Sequence, residues 1–297
     1  MAIFTVVGGP GPDELVGGRC DDILRGDTED YLIDGRGGVD TARVVGTDGA
    51  DDLAVGRNIA VDDPGLYVFG DGLYGGERVQ LLNVERLEIF GRGGDDRLVV
   101  SDLVYGTDEI FGRFVGGSVT VTGVDLVTFY GGRGDDTLDA TAADGPVVAF
   151  GGMGDDALTG GAFADRLIGG SGDDVLQGGG GADRLRGGSG DDAFVYTDVA
   201  DAPIVAGEAR EWIGDFTRGE NVIDLSAIDA VQGGGDDAFR FTGNRSPDFQ
   251  ILQSGDLYYD PEDQTLKGFV GDFIAYEPNF AVALPGVEAL SEGDLIL

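Results

Sequence analysis

The stretch GGMGDDALTGGAFADRLIGGSGDDVLQGGGGADRLRGGSGDDAFV, from Gly151 to Val195, is five consecutive blocks of nine residues with nothing between them. Each block has Gly at positions 1 and 2, Asp at position 6 and a large apolar residue at position 8. Self-similarity at a short fixed period is the signature of a stacked repeat, and it decides the architecture before any local reading. Paired glycines permit a tight turn in the first half of the block. The last three residues, such as Ala157-Leu158-Thr159, set one large apolar side chain between two smaller ones, which suits a very short strand with its middle residue inward. Two blocks then make one coil of turn, strand, turn, strand, with Leu158, Leu167, Leu176, Leu185 and Phe194 as the inner rows.

Stacked coils put the position-6 carboxylates of Asp156, Asp165, Asp174, Asp183 and Asp192 in turns along two edges, at a strand spacing of roughly 4.8 Å. An unscreened ladder of like charges pushes the coils apart. A hard divalent cation relieves this, and Ca²⁺ suits it best, because it accepts carboxylates and backbone carbonyls in flexible geometry.

The block GGxGxDxUx resembles the nonapeptide of RTX proteins, a calcium-binding β-roll repeat. The resemblance implies that each turn gives the ion its position-6 carboxylate and the carbonyls of positions 2 and 4. On this chain these are Gly152, Gly154 and Asp156; Gly170, Gly172 and Asp174; Gly179, Gly181 and Asp183; and Gly188, Gly190 and Asp192. The second block offers Gly161 and Asp165 but carries Phe163 at position 4, where the family has Gly. The implied fold is all-β: a right-handed parallel β-roll or β-helix solenoid with a β-rich C-terminal cap domain.

Composition narrows the function. The chain has 56 glycines in 297 residues and a net charge of −37, from 19 basic against 56 acidic residues. So acidic a chain avoids nucleic acid and anionic membranes and resists compaction until cations bind. It has no His, which excludes an HExxH zinc protease site and a Ser-His-Asp triad. Lys267, the only lysine, leaves Schiff-base and P-loop chemistry without support, and Cys20, the only cysteine, reads as a small turn residue at position 4 of a block. The opening MAIFTVVGG lacks the basic region and apolar length of a secretory signal peptide. No run approaches the ~18 apolar residues of a membrane span.

Residues 1–54 read as N-terminal repeats, with blocks starting at Gly8, Gly17, Gly26 and Gly35. Position 6 supplies Asp13, Asp22 and Asp40, but Tyr31 in the third block; a further block from Gly46, two residues out of phase, supplies Asp51. Across residues 55–150 the tandem period lapses while strand-like runs continue at 66–69, 79–82 and 118–122. Two longer segments, NVERLEIFGRGGDDRL from Asn83 and GVDLVTFYGGRGDDTL from Gly123, each lead into one repeat-like turn, carrying Asp96 and Asp136 respectively. This region reads either as wider coils of the same solenoid or as a β-rich insert. The roll proper occupies 151–195. In 196–297 the run EWIGDFTRGENVIDLSAIDA from Glu211, with Trp212, Ile213 and Phe216 and then Val222, Ile223 and Leu225, resembles the cap after the β-roll in serralysin-type secreted proteins, so that Trp212 is expected in a cap core. The closing Asp294-Leu295-Ile296-Leu297 resembles the uncleaved signal of type I secretion.

The expectation is therefore a secreted protein that binds several calcium ions, leaves the cell through type I secretion machinery by its C-terminus, and folds its roll on Ca²⁺. Two alternatives stand beside it. One is an RTX-associated lyase or epimerase on an acidic polysaccharide, using Tyr130 near Asp135. The other is an adhesin or surface-layer component whose acidic turns bridge through calcium, with an extracellular polysaccharide or a cell surface as partner.

Overall fold

The computed structural model describes residues 4–8, 14–20, 22–27, 32–37, 39–46, 52–57, 66–70, 78–82, 86–93, 97–100, 126–143, 145–205, 208–209, 211–230, 238–244, 253–270 and 278–297. It divides into two compact units, Met1–Met153 and Gly154–Leu297. The protein is all-β, and its main sheets are those of a parallel β-roll. Among the described residues, no helix is long and apolar enough to cross a membrane.

In the second unit, strands Arg166–Ser171, Arg184–Ser189 and Glu211–Ile213 run parallel, with Leu167 opposite Leu185 and Leu185 opposite Ile213. A second parallel row is made of Ala157–Thr159, Val175–Gln177, Ala193–Val195, Val222–Asp224 and Leu295–Ile296. Its middle residues stack in register, Leu158 on Leu176, Leu176 on Phe194, Phe194 on Ile223 and Ile223 on Leu295. All of these inner side chains are buried. Each contributes about 1.5–3 kcal/mol by leaving water, so the spine of the roll is one apolar side chain per block.

Past Glu211–Ile213 the first sheet continues with Phe280–Ala283, then with Thr265–Gly268 and Asp256–Asp260 in antiparallel order, and Arg240–Asn244 at its edge. Phe216 packs on Phe194 with ring centroids 6.2 Å apart, and Phe280 meets Tyr196 edge-on at 5.6 Å. One expected core residue is displaced. Trp212 is only half-buried and lies under Arg186, whose guanidinium sits 5.7 Å from the ring. The two-residue period of the strand explains this, since Ile213 points inward and so must Glu211.

In the first unit, Phe4–Val7, Asp22–Asp27, Thr41–Val45, Arg86–Phe90, Leu126–Arg133 and Val147–Met153 form one parallel sheet. The companion sheet starts with Glu14–Val16 and Leu32–Asp34 and ends with Arg97–Val100 and Thr137–Asp139. Between them sits an antiparallel meander of Asp52–Arg57, Leu66–Gly70 and Arg78–Leu82. The segment joining Thr41–Val45 to Arg86–Phe90 thus places three strands in the companion sheet where a nonapeptide coil places one, which is why the period lapses there. The run expected at 118–122 lies outside the described residues. On the outer face Phe90, Tyr130 and Phe150 stack nearly parallel, at 4.6 and 5.0 Å.

Candidate metal centre

The two edges of the roll carry the position-6 side chains in continuous ladders. Asp156, Asp174 and Asp192 follow one another along one edge, and Asp165 and Asp183 along the other; all five are buried. Each link is a hydrogen bond from a backbone N–H to the carboxylate one coil on: Asp156 N–H to Asp174 Oδ1 at 2.8 Å, Asp174 N–H to Asp192 Oδ1 at 3.2 Å, and Asp165 N–H to Asp183 Oδ1 at 2.7 Å. The first unit repeats the device, with Asp22 N–H donating to Asp40 Oδ1 at 2.7 Å. Asp136, also buried, ends a turn of its own beneath Gly131. Asp13, Asp51 and Asp96 lie outside the described residues. The repulsion expected between stacked carboxylates is therefore relieved in part by main-chain donors.

Carbonyls supply the rest of the cradle. Gly152, Gly154, Gly170, Gly172, Gly188 and Gly190 have φ between 116° and 133°, and Gly179 and Gly181 have 85° and 137°. This flips their peptide groups, so that carbonyl oxygens of positions 2 and 4 point along the stack. A Cβ built on Gly188 would overlap the Gly170 carbonyl, and one on Gly190 or Gly181 would overlap the carbonyl of Gly172 or Phe163. Phe163 and Gly161 are not among the residues of positive φ, so the second block keeps a different turn while still presenting both carbonyls to the next coil.

Two of these carboxylates keep an oxygen without a donor. Asp174 Oδ2 and Asp183 Oδ2 are fully buried without a hydrogen-bond partner. Burial pushes the Asp174 carboxyl up to about 6 and that of Asp183 up to about 7, and neighbouring aspartates add to both shifts. An ordinary unfolded Asp titrates near ~3.9. With the folded value raised, the protonated form is the one the folded state favours. Without calcium the roll thus gains stability as the pH falls through about 7 and about 6, and the gain is complete below ~3.9. Calcium-depleted protein is expected to hold more β structure, and to lose it at a higher temperature, at about pH 5 than at about pH 7.5, where without calcium the roll stays largely open. With calcium bound the order reverses, because protons and ions compete for the same oxygens. Thermal melts at both pH values, with and without calcium, check the sign.

Buried carboxylate oxygens without donors, beside axial carbonyls and with no nitrogen or sulfur ligand, suit a hard cation of the Ca²⁺ type. Among the described residues no three His, Cys, Asp or Glu side chains gather into a cage, so the backbone must provide much of the coordination. The family model described as the RTX calcium-binding nonapeptide repeat, in four copies, matches residues 5–33, 130–167 and 159–194. The chain carries RTX calcium-binding repeats. No curated protein sequence matches it. Among solved structures, it is similar to the solution structure of the AlgE6R3 subunit from the Azotobacter vinelandii mannuronan C5-epimerase, at 25% identity and a TM-score of 0.30, over 64% of this chain and 86% of that one.

The RTX ladders end in two residues that the nine-residue period does not reveal. Along the first edge the position after Asp192 is held by Asn221. Its Nδ2 donates to Asp192 Oδ2 at 3.0 Å and to the Gly190 carbonyl at 3.3 Å, while its Oδ1 accepts from Thr217 N–H at 2.7 Å. Along the second edge the position after Asp183 is held by Glu211, whose Oε2 accepts from Asp183 N–H at 3.0 Å. Outside the RTX ladders a further row runs along the first edge, where Asp173 and Asp191 N–H donate to the carboxylates of Asp155 and Asp173, each at 2.8 Å. The double Asp of GGxGDD signals that outer row.

Proposed function

We propose that this is a secreted RTX calcium-binding protein whose roll folds when its turns take up Ca²⁺ after type I export. The observation that carries the reading is the set of buried carboxylate oxygens, Asp174 Oδ2 and Asp183 Oδ2, that lack any donor among axial carbonyls. The proposed ligands are Gly152, Gly154 and Asp156; Gly161, Phe163 and Asp165; Gly170, Gly172 and Asp174; and Gly179, Gly181 and Asp183. The last turn, of Gly188, Gly190 and Asp192, has its Gly190 carbonyl and Asp192 Oδ2 taken by the Asn221 amide, which leaves the Gly188 carbonyl and Asp192 Oδ1. Asp136, Asp22 and Asp40 belong to the same set in the first unit.

Each strand of the roll is short, and the chain carries a net charge of −37, so without ions its cohesion is weak. Extracellular calcium modules bind at about 10⁻⁴–10⁻³ M, and each site held at 100 times its dissociation constant adds about 2.7 kcal/mol to the folded state. In a calcium-poor cytosol the chain stays open for export; outside, the coils zip together. The proposed export signal fits this order. Leu295–Ile296 pairs with the strand Val222–Asp224, and Asp294 is buried and bonded to Gly219 N–H at 3.0 Å and Ser291 N–H at 2.7 Å. An export apparatus reads that segment only before the roll forms.

Among the described residues no geometry favours the lyase or epimerase reading over this one. Tyr130, its candidate tyrosine, has its ring packed between Phe90 and Phe150. The test is far-UV circular dichroism during a calcium titration, with magnesium as control. A cooperative gain of β signal with calcium alone is expected. A chain fully folded in chelator, with no bound calcium by elemental analysis, would overturn the function.

A further inference from the structure

We propose that the edge carrying Asp165 and Asp183 ends in a further site for a hard divalent cation, between the last nonapeptide of that edge and the strand after it, to which Asp183, shared with the repeat, and Glu211 give carboxylate oxygens and Tyr196 its hydroxyl oxygen. The register places Glu211 there. Arg184 pairs with Trp212 and Leu185 with Ile213, so Glu211 continues the row of Asp165 and Asp183. It is 0% exposed, an unusual state for a glutamate.

Three oxygens at this end lack partners. Glu211 Oε2 is occupied by Asp183 N–H, which leaves Oε1 without a donor. Asp183 Oδ1 is occupied by Asp165 N–H, which leaves Oδ2 without one. The Tyr196 hydroxyl, on a residue 1% exposed, neither donates nor accepts. The charges of Glu211, Asp183 and Asp201 all act on that hydroxyl, so these groups share one buried neighbourhood. Asp201 brings charge rather than a ligand, since its Oδ2 already accepts from Thr197 N–H at 2.8 Å, Asp198 N–H at 2.9 Å and the Thr197 hydroxyl at 3.1 Å. None of the ion pairs between described residues involves Asp183, Glu211 or Asp201.

Buried charges without a partner are strongly destabilising, and a buried hydroxyl without one adds to the cost. One oxygen-seeking cation satisfies all three atoms together. A proton on Glu211, donated to the Tyr196 hydroxyl while that hydroxyl donates to Asp183 Oδ2, is the competing arrangement, and it leaves the ion count of Glu211→Gln equal to that of the unaltered protein. The opposite edge shows the alternative solution, where the neutral amide of Asn221 donates to Asp192 Oδ2 and the Gly190 carbonyl and no oxygen is left over there. The two edges of the roll are therefore closed by opposite chemistry.

This site rests on the calcium reading of the repeats, and the experiment separates the two. Bound calcium is counted by elemental analysis, and affinities are measured by calorimetry, on the full chain and on Glu211→Gln and Tyr196→Phe. Glu211→Gln is expected to hold one ion fewer than the unaltered protein. Tyr196→Phe, which keeps the packing against Phe280, is expected to weaken one ion about tenfold, the loss of one oxygen contact worth ~1.4 kcal/mol. Should Glu211→Gln fail to fold, Tyr196→Phe alone decides, and unchanged affinities there would overturn the site. An unaltered protein that binds calcium while Glu211→Gln keeps the full count overturns the site and spares the repeats. An unaltered protein that holds no calcium overturns both.

Discussion

Gly190→Ala is expected to destabilise the calcium-loaded protein by roughly 2–6 kcal/mol, whereas Gly180→Ala changes its stability by less than about 0.5 kcal/mol. The contrast follows from two neighbouring positions of the nonapeptide motif, taken from consecutive blocks. Gly190, at position 4, has φ of 132°, a region that L side chains enter only at a strain of about 1–3 kcal/mol. Its new methyl group would also overlap the Gly172 carbonyl of the coil below and press on Asp173 Oδ1. Overpacking of that kind costs about 1–3 kcal/mol more, because neither the stacked backbone nor its ladder of hydrogen bonds can yield locally. Gly180, at position 3, has nothing nearer than 3.7 Å to a built Cβ, and its N–H bond to the Gly161 carbonyl at 2.9 Å survives the change. Denaturant melts in saturating calcium measure both. Equal stabilities for the two variants would mean that the stacked carbonyls move apart freely, and the rigid cradle assigned to the ion would fall with that result.

How much of this was legible beforehand depends on whether a feature repeats. The inner rows of Leu158, Leu167, Leu176, Leu185 and Phe194, and the two edges of aspartates, follow from a nine-residue period and the alternation of a strand, and all of those side chains are buried. The double Asp of GGxGDD marks the position-5 aspartates, but the period does not say that they bond to one another. Only the stacking of Asp155, Asp173 and Asp191 turns them into a row.

The ends of the ladders were hidden for a different reason. Asp165 and Asp183 are 18 residues apart, but Glu211 lies 28 beyond Asp183. The longer coil breaks the period, and Trp212 beside Glu211 draws the eye as the apparent core residue. A search for short strands alone, matching Asp183-Arg184-Leu185 to Glu211-Trp212-Ile213, would have found the register. The meander of the first unit was illegible for the same cause, since its hydrogen bonds join strands with no common period.

Asn221→Asp is expected to add one calcium ion to the count of the unaltered protein and to destabilise the calcium-free form. At present the Asn221 side-chain amide occupies the place of a counter-ion. Its Nδ2 bonds to Asp192 Oδ2 at 3.0 Å and to the Gly190 carbonyl at 3.3 Å, a carboxylate and a position-4 carbonyl of the kind assigned to calcium elsewhere on the roll. Its Oδ1 meanwhile accepts from Thr217 N–H, four residues back, as Asp165 Oδ2 accepts from Gly161 N–H in the repeats. Asn221 is thus a position-6 aspartate with its charge removed and a donor put in its place. The substitution Asn221→Asp restores the charge, keeps the shape and retains the bond from Thr217. Without calcium it removes two donated hydrogen bonds and sets a carboxylate beside that of Asp192, a loss on the order of 1–3 kcal/mol. With calcium, the vacated donor position faces an oxygen set that a cation can bridge. Elemental analysis gives the ion count, and melts with and without calcium give the two stabilities. A variant that is weaker in both conditions and binds no extra ion would show that an amide and a calcium ion are not interchangeable at the end of this ladder, and that the roll is closed there by packing of the following strand rather than by charge.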